Sequence, residues 1–136
     1  MNYAEPVDLS DLEGRRLVAV TAAQFTQESD PPVITEVWLQ LESLVVNVYV
    51  ASDWVLRVTP GVPGEGYVME ELGGRVDVIS APAEVPFVRH IGDRLLRVVE
   101  QFDDEAVGQC VEVEFAFERG CVIARSFGGD LYVAHA

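Results

Sequence analysis

The sequence predicts an all-β or β-dominated α+β domain: two duplicated antiparallel four-strand units packed as a sandwich or barrel, with short helical turns. Three observations predict it. The 136 residues are 49% hydrophobic, and Val leads that share with Ile, Phe, Tyr and Trp beside it. Branched and aromatic side chains suit a pleated, half-buried surface. Two segments, 34–41 and 110–118, alternate apolar and polar residues with the strand period of two. The two ends of the chain also lie over one another as an internal repeat. A chain of this length is one domain, 1–136, with interior enough for a single core.

Taken in order, residues 7–14 read as a short helical turn. Pro6 precedes it, Ser10 is placed to cap it with Glu13 three residues on, and Gly14 ends it. Arg16 to Phe25 reads as a strand, and Thr26 to Pro32 as a loop. In Ile34 to Leu41, Val37, Leu39 and Leu41 point one way, and Glu36, Trp38 and Gln40 the other. A turn near Glu42 to Val45 leads into a strand over 46–51, and Trp54 to Val58 is a further short strand.

Residues 60–86 differ in texture, holding five of the eleven glycines and four of the seven prolines. They read as a connector with one hairpin, from Tyr67 to Leu72 and Arg75 to Ser80. Disorder is disfavoured because Val62, Tyr67, Val68, Met69, Val76, Val78 and Ile79 call for burial. From Phe87 the opening pattern returns. A turn ends at Gly92, a strand covers 94–102, and a loop covers 103–108. An alternating strand, Cys110 to Glu118, meets a tight turn at Arg119-Gly120 and a strand over 121–126. After Gly128-Gly129-Asp130 the last strand covers 131–134.

The repeat makes residues 7–59 one copy and 87–136 the other. At an offset of 78, Gly14, Arg16, Leu17 and Val20 meet Gly92, Arg94, Leu95 and Val98. At 76, Glu36, Val37, Glu42 and Val46 meet Glu112, Val113, Glu118 and Val122, and at 77 Asp53 meets Asp130. Apolar alternation alone does not account for the matching Gly, Arg, Glu and Asp. Val37, Leu39, Leu41, Val46 and Val48 would face Val113, Phe115, Phe117, Val122 and Ala124 in one core.

Each copy has a Gly-terminated turn, a strand, an alternating hairpin and an Asp-led strand. These are Leu12-Glu13-Gly14, Glu36 to Leu41 and Asp53 to Val58, then Ile91-Gly92, Glu112 to Phe117 and Asp130 to Val133. In this the chain resembles small uncharacterised bacterial all-β domains of unknown function. The resemblance implies a fold and no activity.

The copies differ on their outward faces. With Arg119-Gly120 as the turn, Glu114 faces Arg125, an ion pair of ~0.2–1 kcal/mol. The matching pair in the first copy is Trp38 and Tyr49, with Val45 facing Glu42. Trp38, Tyr49 and Val45 are therefore the candidate partner-binding residues. The competing expectation is that the connector, through Tyr67, Val68 and Ile79, folds over this face and buries it.

Charge limits the partners. Against 23 acidic residues stand nine basic ones, all Arg, for a net charge of −14. No basic footprint exists for nucleic acid or an anionic membrane, whereas a basic protein would be attracted. The lack of Lys beside abundant Ala, Val, Gly and Arg points to a GC-rich bacterial genome. The first six residues lack a basic and an apolar region, no apolar run reaches ~18 residues, and both cysteines lack metal spacing, so a reduced, cytoplasmic protein is expected.

No catalytic set is visible. His90 reads as a surface or capping residue and His135 as a terminal one. Residues 61–66 lack the Lys-Ser/Thr of a phosphate loop. Asp103-Asp104-Glu105 lacks calcium-loop spacing. The pairs Glu70-Glu71 and Glu112-x-Glu114 have nothing local to separate their roles. Cys110 and Cys121 read as unpaired, inert thiols. No metal and no cofactor are expected, and an enzyme is disfavoured. The expected function is a non-catalytic acidic interaction domain, such as an accessory or immunity-type inhibitor of a basic partner; homodimerisation through the Trp38 face is a further possibility. The alternative is a small-ligand-binding or enzymatic β domain with a pocket between the two copies.

Overall fold

A computed structural model describes residues 8–28, 30–102 and 110–136. Ten strands carry the chain: β1 (Leu17–Gln27), β2 (Val33–Leu41), β3 (Leu44–Val50), β4 (Leu56–Pro60), β5 (Tyr67–Met69), β6 (Gly74–Ser80), β7 (Leu95–Phe102), β8 (Cys110–Phe117), β9 (Gly120–Phe127) and β10 (Asp130–His135). Single 3-10 turns cover Leu9–Leu12, Glu70–Leu72 and Pro86–His90. Asp103-Asp104-Glu105, the loop around it and the first seven residues lie outside the described residues.

The strands form two antiparallel sheets, ordered β4-β3-β2-β1-β6-β5 and β10-β9-β8-β7. They make a sandwich, not a closed barrel. The first sheet has six strands because the connector's hairpin, β5–β6, adds to the outer edge of β1. The inward residues of both sheets form one cluster. Val37, Leu39, Leu41, Val46 and Val48 meet Val113, Phe115, Phe117, Val122 and Ala124 there, as the alternation predicts.

The sheets meet about an antiparallel bridge between Arg16 and Arg94, and the bonds around it are reciprocal. Gly14 N–H donates to the Leu95 carbonyl (2.7 Å), and Gly92 N–H to that of Leu17 (2.8 Å). The Arg16 N–H donates to the Glu42 carboxylate (2.7 Å), and the Arg94 N–H to that of Glu118 (2.6 Å). The Arg16 guanidinium reaches the Gly92 carbonyl, and that of Arg94 reaches Gly14. Register shifts also recur at matching places: Leu17/Ala19 and Leu95/Arg97, then Ala23/Gln24 and Gln101/Phe102.

Several expectations are corrected. Ser10 does not cap the first turn; the Asp8 carboxylate accepts from the Ser10 N–H and hydroxyl (3.0 and 2.7 Å). Glu13 instead reaches across to the Val98 N–H at 3.2 Å. The second hairpin turns at Glu118-Arg119, with Phe117 opposite Gly120, so Arg125 faces Glu112 and not Glu114. In the first unit Leu41 faces Leu44, Trp38 faces Asn47, and Tyr49 faces Glu36. The Glu42 and Glu118 carboxylates fix these turns by holding Arg16 and Arg94. Because each register differs from expectation by an even number, every side chain keeps its face.

Trp54 lies outside β4, in a turn at φ +66, and Val58 faces Val48 as Val133 faces Ala124. Val58, not Leu56, thus stands where Val133 stands, because the β3–β4 turn is longer than the Gly128-Gly129 turn. Val62, Tyr67 and Val68 are exposed (75%, 59% and 69%). β5 is a three-residue strand at the sheet's edge, so Tyr67 and Val68, on its opposite faces, both stay open to solvent.

Candidate binding cleft

Trp38 is the natural starting point, and it is 6% exposed. It forms a second cluster with Ala23 and Val76, against which Phe25, Val45, Met69 and Val78 pack. The connector covers this face, but through Val76, Val78 and Met69 and not through the expected Tyr67, Val68 and Ile79, of which Tyr67 and Val68 stay exposed. Tyr49 is half-buried beside Glu36, whose carboxyl is raised by burial against a lowering bond from Asn47. The structure does not gather Trp38, Tyr49 and Val45 into an exposed aromatic patch.

An opening lies elsewhere, between the two units. A cleft of about 630 Å³ is lined by Pro32, Val33 and Ile34 at the start of β2, by 82–86 of the connector, and by Leu131, Tyr132 and Val133 of β10, with Gln24 on its wall. Its surface is mainly apolar. Val33 and Tyr132 remain about half exposed (49% and 47%), and the exposed Glu84 supplies a carboxylate. On its far side the Tyr132 ring carries the Arg125 guanidinium at 5.1 Å. The cleft exists because Pro32, Pro82 and Pro86 keep their segments out of the ladders, so no strand closes over β10.

The second feature is a buried polar chain at the far end of the Pro86–His90 turn. His90, expected at the surface, is 2% exposed. Its ring stacks on Phe117 at 4.8 Å, and Nδ1 lies 3.0 Å from the Asp93 carboxylate. Asp93 also accepts from Arg119 Nε at 2.7 Å, and Arg119 reaches the Arg89 carbonyl at 2.9 Å. Burial raises the Asp93 carboxyl, but the bonds from His90 and Arg119 and the Arg119 charge outweigh it and hold it below its usual value. The repeat offset could have found His90: 78 residues earlier stands Leu12, a core residue that is 0% exposed. The Nε2 atom is buried and has no hydrogen-bond partner. A general base must reach a substrate proton, and Nε2 as placed meets no solvent. His135, 6.2 Å away ring to ring, is lowered by burial and by the nearby charges of Arg89 and His90.

The thiols are poor nucleophiles. Cys110 is pushed up to about 11, first by burial and then by Glu100. Cys121 is raised by burial and by Glu114. Both are free. Among the described residues no group of three or more His, Cys, Asp or Glu side chains could hold a metal ion, and no helix is long and apolar enough to cross a membrane. No family model, curated protein or solved structure matches the chain.

Proposed function

We propose that the chain is a non-catalytic interaction domain, an internally duplicated β unit that takes an apolar, positively charged partner segment into the cleft between its two copies. One observation carries this reading. The half-open apolar surface lies at Val33, Pro82, Pro86, Leu131 and Tyr132, while the rival surface around Trp38 is covered. The cleft's volume falls within the roughly 300–1,000 Å³ of ordinary ligand sites. The net charge of −14, with Glu84 at the rim, favours a cation-bearing partner through steering. The reciprocal bonds about Arg16 and Arg94 support duplication as the origin of the two half-walls. A soluble inhibitor of a basic protein would have this character.

The test is titration with Nile red, a neutral apolar dye, into the wild type and into Val33→Arg and Tyr132→Ala. Both positions are half exposed, so neither substitution opens a cavity in the core, and circular dichroism checks that both variants fold. Dye emission should shift to the blue on binding, and both variants should weaken binding at least tenfold. Equal binding by all three proteins refutes the cleft as the binding surface.

A further inference from the structure

The four sheet edges are not alike. β5 has only three residues, and β4 has five and closes on Pro60, which has no N–H to offer. β7 carries two register shifts, and its Val98 N–H is taken by the Glu13 carboxylate. Such devices are how proteins blunt exposed strands. β10 has none of them. It runs six residues without proline, Lys or Arg, and its ladder with β9 has no register shift.

The register decides where its backbone points. Ala136 N–H donates to the Cys121 carbonyl at 3.1 Å, so even-numbered residues here form the mutually bonded pairs with β9. Leu131 and Val133 therefore direct N–H and C=O away from β9, and among the described residues neither group has a hydrogen-bond partner. Both residues also line the cleft.

Building on the proposed function, we infer that the cleft's occupant is an extended basic peptide that adds to β10 as a fifth strand. The peptide's main chain pairs with Leu131 and Val133. Its alternate apolar side chains enter the groove between Val33 and Pro86, because successive side chains of a strand point to opposite faces. Charge selects the occupant. A second copy would bring another −14 to the same edge, whereas flanking Arg or Lys residues meet Glu84 and Asp130.

The probe is the peptide acetyl-Arg-Val-Thr-Val-Thr-Val-Arg-amide, with two analogues N-methylated at alternate residues, one set for each edge of the strand. The parent should bind, and excess should displace Nile red. One methylated analogue should bind at least tenfold more weakly, and the other within about threefold of the parent. Amide exchange at Leu131 and Val133 should slow at least tenfold at saturation. If both analogues bind like the parent, or the two amides exchange unchanged, strand addition is overturned while the apolar cleft stands. Strand addition is equally overturned if the peptides fail and the dye still binds in a Val33-dependent way. A peptide-resistant dimer in sedimentation, lost in Val133→Pro, assigns the edge to a second copy and also overturns the inference. Dye binding that ignores Val33→Arg defeats the parent reading instead.

Discussion

Asp93→Ala tests the buried polar chain, and the structure sets its size. The substitution removes the acceptor of two bonds, from His90 Nδ1 at 3.0 Å and from Arg119 Nε at 2.7 Å. The first matters more, because His90 is 2% exposed and already has one unpartnered nitrogen. Losing a charged acceptor and stranding its buried partner costs about 1.5–3 kcal/mol. The Arg119 side chain is 62% exposed, so water replaces its bond and the loss there is about 0.5 kcal/mol. Together Asp93→Ala should destabilise by about 2–3.5 kcal/mol, lowering Tm by roughly 4 °C per kcal/mol for a chain of this size. His90→Leu installs the residue type found at the matching position, Leu12, and removes the orphaned Nε2. It should cost about 1 kcal/mol, since Arg119 still holds Asp93. The double variant should fall about 1.5 kcal/mol short of the summed costs, a coupling typical of residues in one network. Urea titrations followed by circular dichroism at pH 7 measure all four proteins. Costs that add to within about 0.5 kcal/mol would show that His90 and Asp93 do not act as a unit. Acid offers an independent check. The Asp93 carboxyl is held below its usual value of 3.8, so its stabilisation is complete above that pH and fades as pH falls through the lower folded value. The wild type should thus lose stability more steeply below pH 4 than Asp93→Asn does.

Three further outcomes follow from burial. Glu36 is raised above 4.5 by burial, so its charged form disfavours the fold; Glu36→Gln should raise Tm at pH 7 and leave it unchanged near pH 4, and no gain at pH 7 refutes this. Trp38 is buried and Trp54 is 64% exposed, so Trp38→Phe should leave red-shifted, readily quenched fluorescence from Trp54; Trp38→Ala should cost about 3–5 kcal/mol, and a loss under 0.5 kcal/mol would place Trp38 at the surface. With Cys110 pushed up to about 11, a thiol-reactive disulfide reagent at pH 8 should modify the folded Cys121→Ser variant far more slowly than the same chain in denaturant. Equal rates would overturn the burial of Cys110.

The fold was legible wherever period-two alternation meets a buried face. Val37, Leu39 and Leu41 declare their side, and Val113, Phe115 and Phe117 do the same in the second unit. The hairpin turns were not legible to the residue, because Glu42 and Glu118 act over long separations, on Arg16 and Arg94. A Gly in a candidate turn is a local signal, and a carboxylate held by a distant N–H overrides it. Trp38 misleads for a related reason. It sits on the outward face of β2, as the alternation says, but β6 extends the sheet beside β1 and turns that face into a second small core. A pocket between the copies entered only with the alternative reading, and its lining left even less trace, since Pro32, Pro86 and Leu131 are far apart in sequence and unremarkable singly.

The two halves of the chain share a set of backbone contacts and differ at their sheet edges. The bridge, the paired carboxylates and the register shifts recur in both, so these positions serve the fold. The outer edge of β1 is sealed by β6, and that of β7 is met by Glu13. Opposite these edges, β4 ends on Pro60, which has no N–H to offer, while the residue at the matching position, His135, keeps its N–H, and among the described residues the outward groups of Leu131 and Val133 are unpaired. An edge left open over an apolar groove is an aggregation hazard unless charge guards it. On the strand-addition reading proposed above, the guard would be the repulsion between chains that each carry −14. That repulsion would disfavour self-association while admitting a basic strand. Lowering that charge by Glu84→Gln and Asp130→Asn should therefore weaken the basic peptide and promote self-association through β10. If this less acidic variant stays monomeric at high concentration and binds the peptide as before, charge at Glu84 and Asp130 is not what selects the occupant.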